Sequence, residues 1–187
     1  MGTEIRVPEP KPARVNPEKS ALLVLDISQR CADPKLPCHK LAERMIPFLK
    51  RAREANLLIV FTISAHLKGT PEGKVYSPLN RRPSEAIIFP DAFDKFAGGE
   101  LQTLLKLYNL DTLLMTGYRS NIAVLYTATT AARELNYNVI IPIDGIATLT
   151  DYEQEYALFQ LTVFRPEISK RFMFTTLDMI HFQPARG

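Results

Sequence analysis

Short, unbroken apolar runs recur along this chain, separated by stretches with helical periodicity, and no other feature limits the fold as much. Ala21 to Ile27 and Leu57 to Ile63 are continuous apolar segments of the kind that is buried on both faces of a parallel sheet. Ala86 to Phe89, Thr112 to Thr116, Val139 to Ile143 and Phe172 to Thr175 repeat the pattern. Between them the spacing predicts a helix over Pro47 to Asn56, with proline in the first turn where its missing N–H costs nothing. If that helix starts earlier, Leu41, Met45, Leu49 and Ala52 share one face. Further helices are expected over Glu100 to Tyr108, Asn121 to Leu135 and Tyr152 to Phe164. Alternation of this kind defines an α/β fold, a three-layer α/β/α sandwich with a mostly parallel, Rossmann-like sheet.

The length of 187 residues and a hydrophobic fraction of 46% suit one domain with a full core, placed here at residues 20–187. Residues 1–19 carry Pro8, Pro10, Pro12 and Pro17 among charges and read as an extended, Pro-rich N-terminal arm. Positive and negative charges are interspersed, and the formal net charge of +3 comes without any nucleic-acid-binding motif. No apolar run is long enough to cross a bilayer, and the N-terminus lacks a secretory h-region. The expectation is a cytoplasmic protein with a small-molecule ligand or substrate, and with neither nucleic acid nor membrane as partner.

In open α/β sheets, ligands sit beyond the carboxyl ends of the strands, near the switch in strand order. Three places qualify. Asp26 ends the first apolar run, Phe89 to Lys95 follow the short third strand, and Gly117 to Ala123 join the fourth strand to a helix. At that helix start, the N–H groups near Ile122 and Ala123 favour a negative group or a carbonyl oxygen. Tyr118, Arg119, Ser120, Asn121 and Ile122 are therefore candidate ligand-binding residues. Arg81 and Arg82 lie on a long loop and read first as a solvated basic segment.

The motifs at these places resemble those of the isochorismatase-like (cysteine) hydrolase superfamily. Ala21-Leu-Leu-Val-Leu-Asp26 is similar to the family's opening strand, whose Asp is the acid/base, and Val139-Ile-Ile-Pro-Ile-Asp144 to a later segment. The resemblance runs from Ala21 to Leu177 and implies Asp26 as a catalytic residue. It also implies a non-proline cis peptide within Tyr118–Arg119–Ser120, and a homo-oligomer. Two family positions are substituted. Ala123 stands where the nucleophilic Cys is expected, and Pro90, six residues before Phe96, stands where the catalytic Lys is expected. Lys95 reads as a loop lysine and becomes a catalytic partner only if the loop is remodelled. True isochorismatases carry a small residue at the Cys position and cleave a vinyl ether with the Asp as acid.

No cofactor or metal is expected. Where nicotinamidase-like members hold a metal with D-x-H, this chain has Ser64-Ala-His66. Cys31 and Cys38 read as two reduced thiols, with a small loop-closing disulfide as the alternative. Cys31, five residues past Asp26 in a loop and away from the helix start that would lower its pKa, is a poor substitute nucleophile. With both Lys and Cys missing, the residues point to a degenerate member that binds a small carboxylate- or carbonyl-bearing ligand near Asp26. The alternative is an active isochorismatase-like hydrolase using Asp26 as general acid without a covalent intermediate. A ligand-free structural protein is the third reading.

Overall fold

The computed structural model describes residues 7–183. The strands are β1 (Ala13–Val15), β2 (Ser20–Leu25), β3 (Leu58–Thr62), β4 (Ala86–Ile88), β5 (Thr112–Tyr118), β6 (Asn138–Pro142), β7 (Ile146–Ala147), β8 (Phe172–Thr175) and β9 (Ile180–Phe182). The helices are α1 (Pro37–Glu54), α2 (Glu100–Lys106), α3 (Leu125–Arg133), α4 (Asp151–Gln160) and the single turn α5 (Pro166–Ser169). The main sheet runs β4-β3-β2-β5-β6-β8, with β7 paired to β5, and its paired strands are all parallel. Order therefore reverses between β2 and β5, so Asp26 and the turn after Tyr118 flank the switch point.

Strand β2 shows why the apolar runs are continuous. Leu22 and Val24 face a core shared with Leu41, Met45, Leu49 and Ala52 of α1. Ala21, Leu23 and Leu25 face the opposite core with Leu101 and Leu105 of α2, Ala128 and Ala132 of α3, and Leu158 of α4. Burial on both faces of the sheet is the three-layer arrangement that the sequence pattern requires. Gly117 in β5 is dictated by close approach. Its φ is +134°, and a Cβ there would lie 2.2 Å from the carbonyl oxygen of Leu25.

Three elements depart from expectation. Helix α1 begins at Pro37, not Pro47, so Pro37 takes the first-turn position and Pro47 lies inside the helix. Within the Pro-rich segment, residues 1–6 lie outside the described residues, but Ala13 and Val15 are buried and β1 pairs in parallel with β9. The second half of that segment is thus a folded element. Its signal is too short to read, because β1 has three residues and finds its partner near the other end of the chain.

The third departure is a disulfide between Cys31 and Cys38, whose Cα atoms are 5.3 Å apart. The early start of α1 brings Cys38 back over the turn at Gln29–Ala32 that carries Cys31. Neither cysteine is then a free thiol, which removes Cys31 as a substitute nucleophile. Closing a loop of sequence separation 7 constrains the unfolded chain. Replacing both cysteines with serine is expected to lower stability by about 2–3 kcal/mol in chemical denaturation. An unchanged denaturation midpoint would argue against that contribution.

Candidate active site

Asp26 leaves the end of β2 in the left-handed region, with φ of 54°, which an aspartate tolerates better than most residues. Its N–H donates to the carbonyl of Thr62 at 2.9 Å, which anchors it to the end of β3. Its carboxylate accepts hydrogen bonds from Thr62 Oγ1 (3.1 Å) and Ser64 Oγ (3.4 Å). Lys95 Nζ lies 2.6 Å from Asp26 Oδ2.

Lys95 is 1% exposed and among the largest fully buried side chains, so it is not a solvated loop lysine. The loop after β4 is held against α3. Lys95 N–H donates to Thr127 Oγ1 at 3.0 Å, while the Asp94 carboxylate accepts from Thr130 Oγ1 at 2.6 Å and from Phe96 N–H at 2.9 Å. Lys95 Nζ also donates to the carbonyl of Ala92 at 3.2 Å. Pro90 at the expected position is therefore not a loss of the ammonium group. A long flexible stem lets a lysine five residues further along the chain deliver its ammonium to Asp26.

Burial drives the Asp26 pKa above its ordinary value. The Lys95 ammonium and the hydroxyls of Thr62 and Ser64 pull the other way, and burial outweighs them. The protonated acid is thus more available here than for a solvated aspartate.

Asp26 opens into a cavity of about 360 Å³. Ala123, Ile122, Tyr118 and Arg119 line it on the side of the turn after β5. Ala123 is 3% exposed and places a methyl group where a nucleophile would have to stand. The peptide bond between Tyr118 and Arg119 is cis, within the stretch where the resemblance expects one. Burial raises the Tyr118 pKa against the pull of Arg119 and Arg30, so its phenol remains a hydrogen-bond donor.

Other candidates take framework roles. Arg119 Nη2 is paired with Glu153 Oε1 at 2.8 Å. Glu153 closes the capping box of α4 with Thr150, so the pair ties the turn to that helix. Asn121 Nδ2 donates to Glu153 at 3.2 Å and its Oδ1 accepts from Thr148 at 2.7 Å. Ser120 is fully buried and its hydroxyl donates to Gln154 Oε1. Ser120 and Asn121 therefore lie behind the pocket wall rather than in it. The turn itself is a π-helical segment, Ser120–Val124, in which the N–H groups of Ile122 and Val124 donate to the Arg119 carbonyl at 3.2 Å. That takes Ile122 N–H out of the anion-binding set the sequence suggests.

Arg81 and Arg82 do not fold over the opening. Arg81 Nη1 donates to the carbonyl of Glu85, and Arg82 N–H to the Glu85 carboxylate at 2.7 Å. That carboxylate is also held by Arg53 at 2.6 Å. His66 does reach the mouth of the cavity. Beside it, Ser64 is engaged with Asp26, so one imidazole remains, which does not fit a divalent cation.

Residues 20–170 match the Isochorismatase domain, and the chain belongs to that family. Streptothricin hydrolase from Streptomyces noursei is 30% identical over 137 residues, covering 68% of this chain and 49% of that protein. The chain thus spans about half the length of the curated relative it matches. An isochorismatase-like hydrolase from Alkaliphilus metalliredigens has a TM-score of 0.75 at 26% identity, over 86% of this chain and 94% of the other. The nicotinamidase of Staphylococcus aureus shares the fold with a TM-score of 0.68 at 22% identity, over 78% and 92% of the two chains.

Proposed function

We propose that this protein is an isochorismatase-family hydrolase in which Asp26 acts as general acid and no covalent intermediate forms. The observation that carries this reading is the 2.6 Å contact between Lys95 Nζ and Asp26 Oδ2, beside a pocket wall formed by Ala123. The degenerate-binder reading depends on the loss of both catalytic partners of Asp26. The ammonium is present, and only the thiol is missing. Acyl transfer through a thioester is closed to an alanine. A substrate that needs only a proton and a water is not, and enol (vinyl) ethers are that class.

The chemistry then runs in balanced steps. Protonated Asp26 gives its proton to the terminal carbon of the C=C bond, and the ether oxygen lone pair stabilises the resulting oxocarbenium ion. Water adds to the cationic carbon and returns a proton to the Asp26 carboxylate, which Lys95 keeps in place and compensates. The hemiketal collapses to a ketone and an alcohol, so one water is consumed and Asp26 ends as it began. A pKa raised by burial suits this acid role, because a solvated aspartate would be almost wholly ionised at neutral pH.

The test is to incubate the protein with isochorismate and simpler enolpyruvyl ethers in heavy water. The expected product is pyruvate carrying a single solvent deuteron in its methyl group, with nicotinamide left unhydrolysed. No pyruvate above the protein-free blank from any of these ethers would sink the proposal.

A further inference from the structure

The charges around the cavity do not cancel. Asp26 is matched by Lys95 and Arg119 by Glu153, each through a direct contact. Arg30 also lines the cavity, and it has no carboxylate within ion-pair distance among the described residues. Among the described residues its guanidinium finds no hydrogen-bond partner of the kind that occupies Arg44, Arg51, Arg53, Arg81, Arg119 and Arg171. A free guanidinium at the edge of a cavity is a fork-shaped set of donors that fits a carboxylate.

The backbone beneath Arg30 is held from several directions. Arg30 sits in the turn Gln29–Ala32, where its N–H faces Ser28 Oγ at 3.4 Å and its carbonyl accepts from Asp33 N–H at 3.2 Å. Gln29 N–H donates to the Lys74 carbonyl at 2.8 Å. Cys31 is bonded to Cys38, and its carbonyl lies 2.9 Å from His39 Nδ1. With the backbone already held, capture of a ligand by this exposed side chain costs the ordering of the side chain alone and not of the loop. The rest of the wall includes Leu36, Ile63, Leu67, Phe93 and Leu149, an apolar surface suited to a compact organic body.

We propose that Arg30 is the anion anchor of this pocket and that its ligand is a small organic carboxylate. The carboxylate meets Arg30 and the apolar body lies toward Ile122 and Ala123. As a statement about substrate, this rests on the hydrolase reading above; as a statement about binding, it stands without it.

Benzoate and its neutral counterpart benzamide are the probes, titrated calorimetrically into the wild-type protein, Arg30→Gln, Arg30→Lys and Asp26→Asn. Benzoate is expected to bind the wild type more tightly than benzamide and to lose about tenfold or more in affinity in Arg30→Gln. Arg30→Lys should recover part of that loss, while benzamide affinity stays level across the Arg30 variants. Failure of benzoate to bind the wild type at millimolar concentration would overturn the proposal, and so would equal binding of benzoate to Arg30→Gln. Benzoate binding that depends on Arg30 and persists in Asp26→Asn upholds the anchor even if no enol ether is hydrolysed. Hydrolysis with a KM unchanged in Arg30→Gln leaves the hydrolase standing and removes the anchor.

Discussion

Asp26→Asn is expected to cut enol-ether hydrolysis by about 10²–10⁴-fold in kcat/KM, the usual contribution of a positioned general acid. Asparagine preserves the shape of the side chain, but its one carbonyl oxygen can accept from Lys95 Nζ or from Thr62 Oγ1, which meet different oxygens of the aspartate, and not from both. It cannot give up a proton to carbon or take one from water. The parent should show the complementary pH signature. Its Asp26 pKa is raised because burial outweighs the pull of Lys95, Thr62 and Ser64. The reactive form is the protonated acid, so kcat/KM is level on the acid side and falls as pH rises through that raised value. This limb should sit above the ordinary carboxylate range, and it should vanish in Asp26→Asn along with most of the rate. A variant with the parental rate and an unchanged profile would remove Asp26 from the mechanism. Cooperative unfolding of the variant is the necessary control, since it leaves the Lys95 ammonium without a counter-charge.

The parts of the site that the sequence discloses are those fixed by the backbone. Asp26 follows directly from an apolar run that must enter the sheet, and Ala123 from a strand–turn–helix segment whose frame is clear even without its cysteine. Tyr118 and Ile122 follow from the same frame and do line the cavity. Position in the chain says little about long side chains. Lys95 sits five residues from its expected place and still reaches Asp26. Arg119 stands in the turn, yet it is taken by Glu153, which is 34 residues away in the chain. Thr127 and Thr130 on α3 are a local signal that could have pointed to Lys95, because hydroxyls on a helix face opposite the loop are what draw that loop inward. Arg30 carries no such local signal. Its place in the cavity depends on where α1 begins and on the disulfide, and a proline at 47 gives a misleading start for that helix.

Lys95→Met tests whether the ammonium is structural, chemical or both. Methionine can fill the space of the buried stem but leaves the Asp26 carboxylate, whose side chain is 19% exposed, without its closest positive charge. Breaking a buried pair from one side costs about 3–5 kcal/mol when the remaining charge stays ionised. Asp26 has an escape, because it can take up a proton. Its folded-state pKa, already raised, rises further without Lys95. A group of that kind contributes stability that is fully present below its unfolded-state value and is lost as pH rises through the folded one. The deficit of Lys95→Met relative to the parent is therefore expected to be small in acid and to grow toward neutral pH in urea midpoints measured across that range. A deficit that is flat with pH would mean that the lysine only fills space. Turnover should fall as well, because the carboxylate formed after proton transfer to carbon no longer has a compensating charge. Combining Lys95→Met with Asp26→Asn separates the two effects. A neutral pair of similar volume should regain most of the stability, since replacing both partners of a buried ion pair is commonly neutral or better. It should regain none of the activity. That divergence is what a catalytic ion pair predicts and a purely architectural one does not.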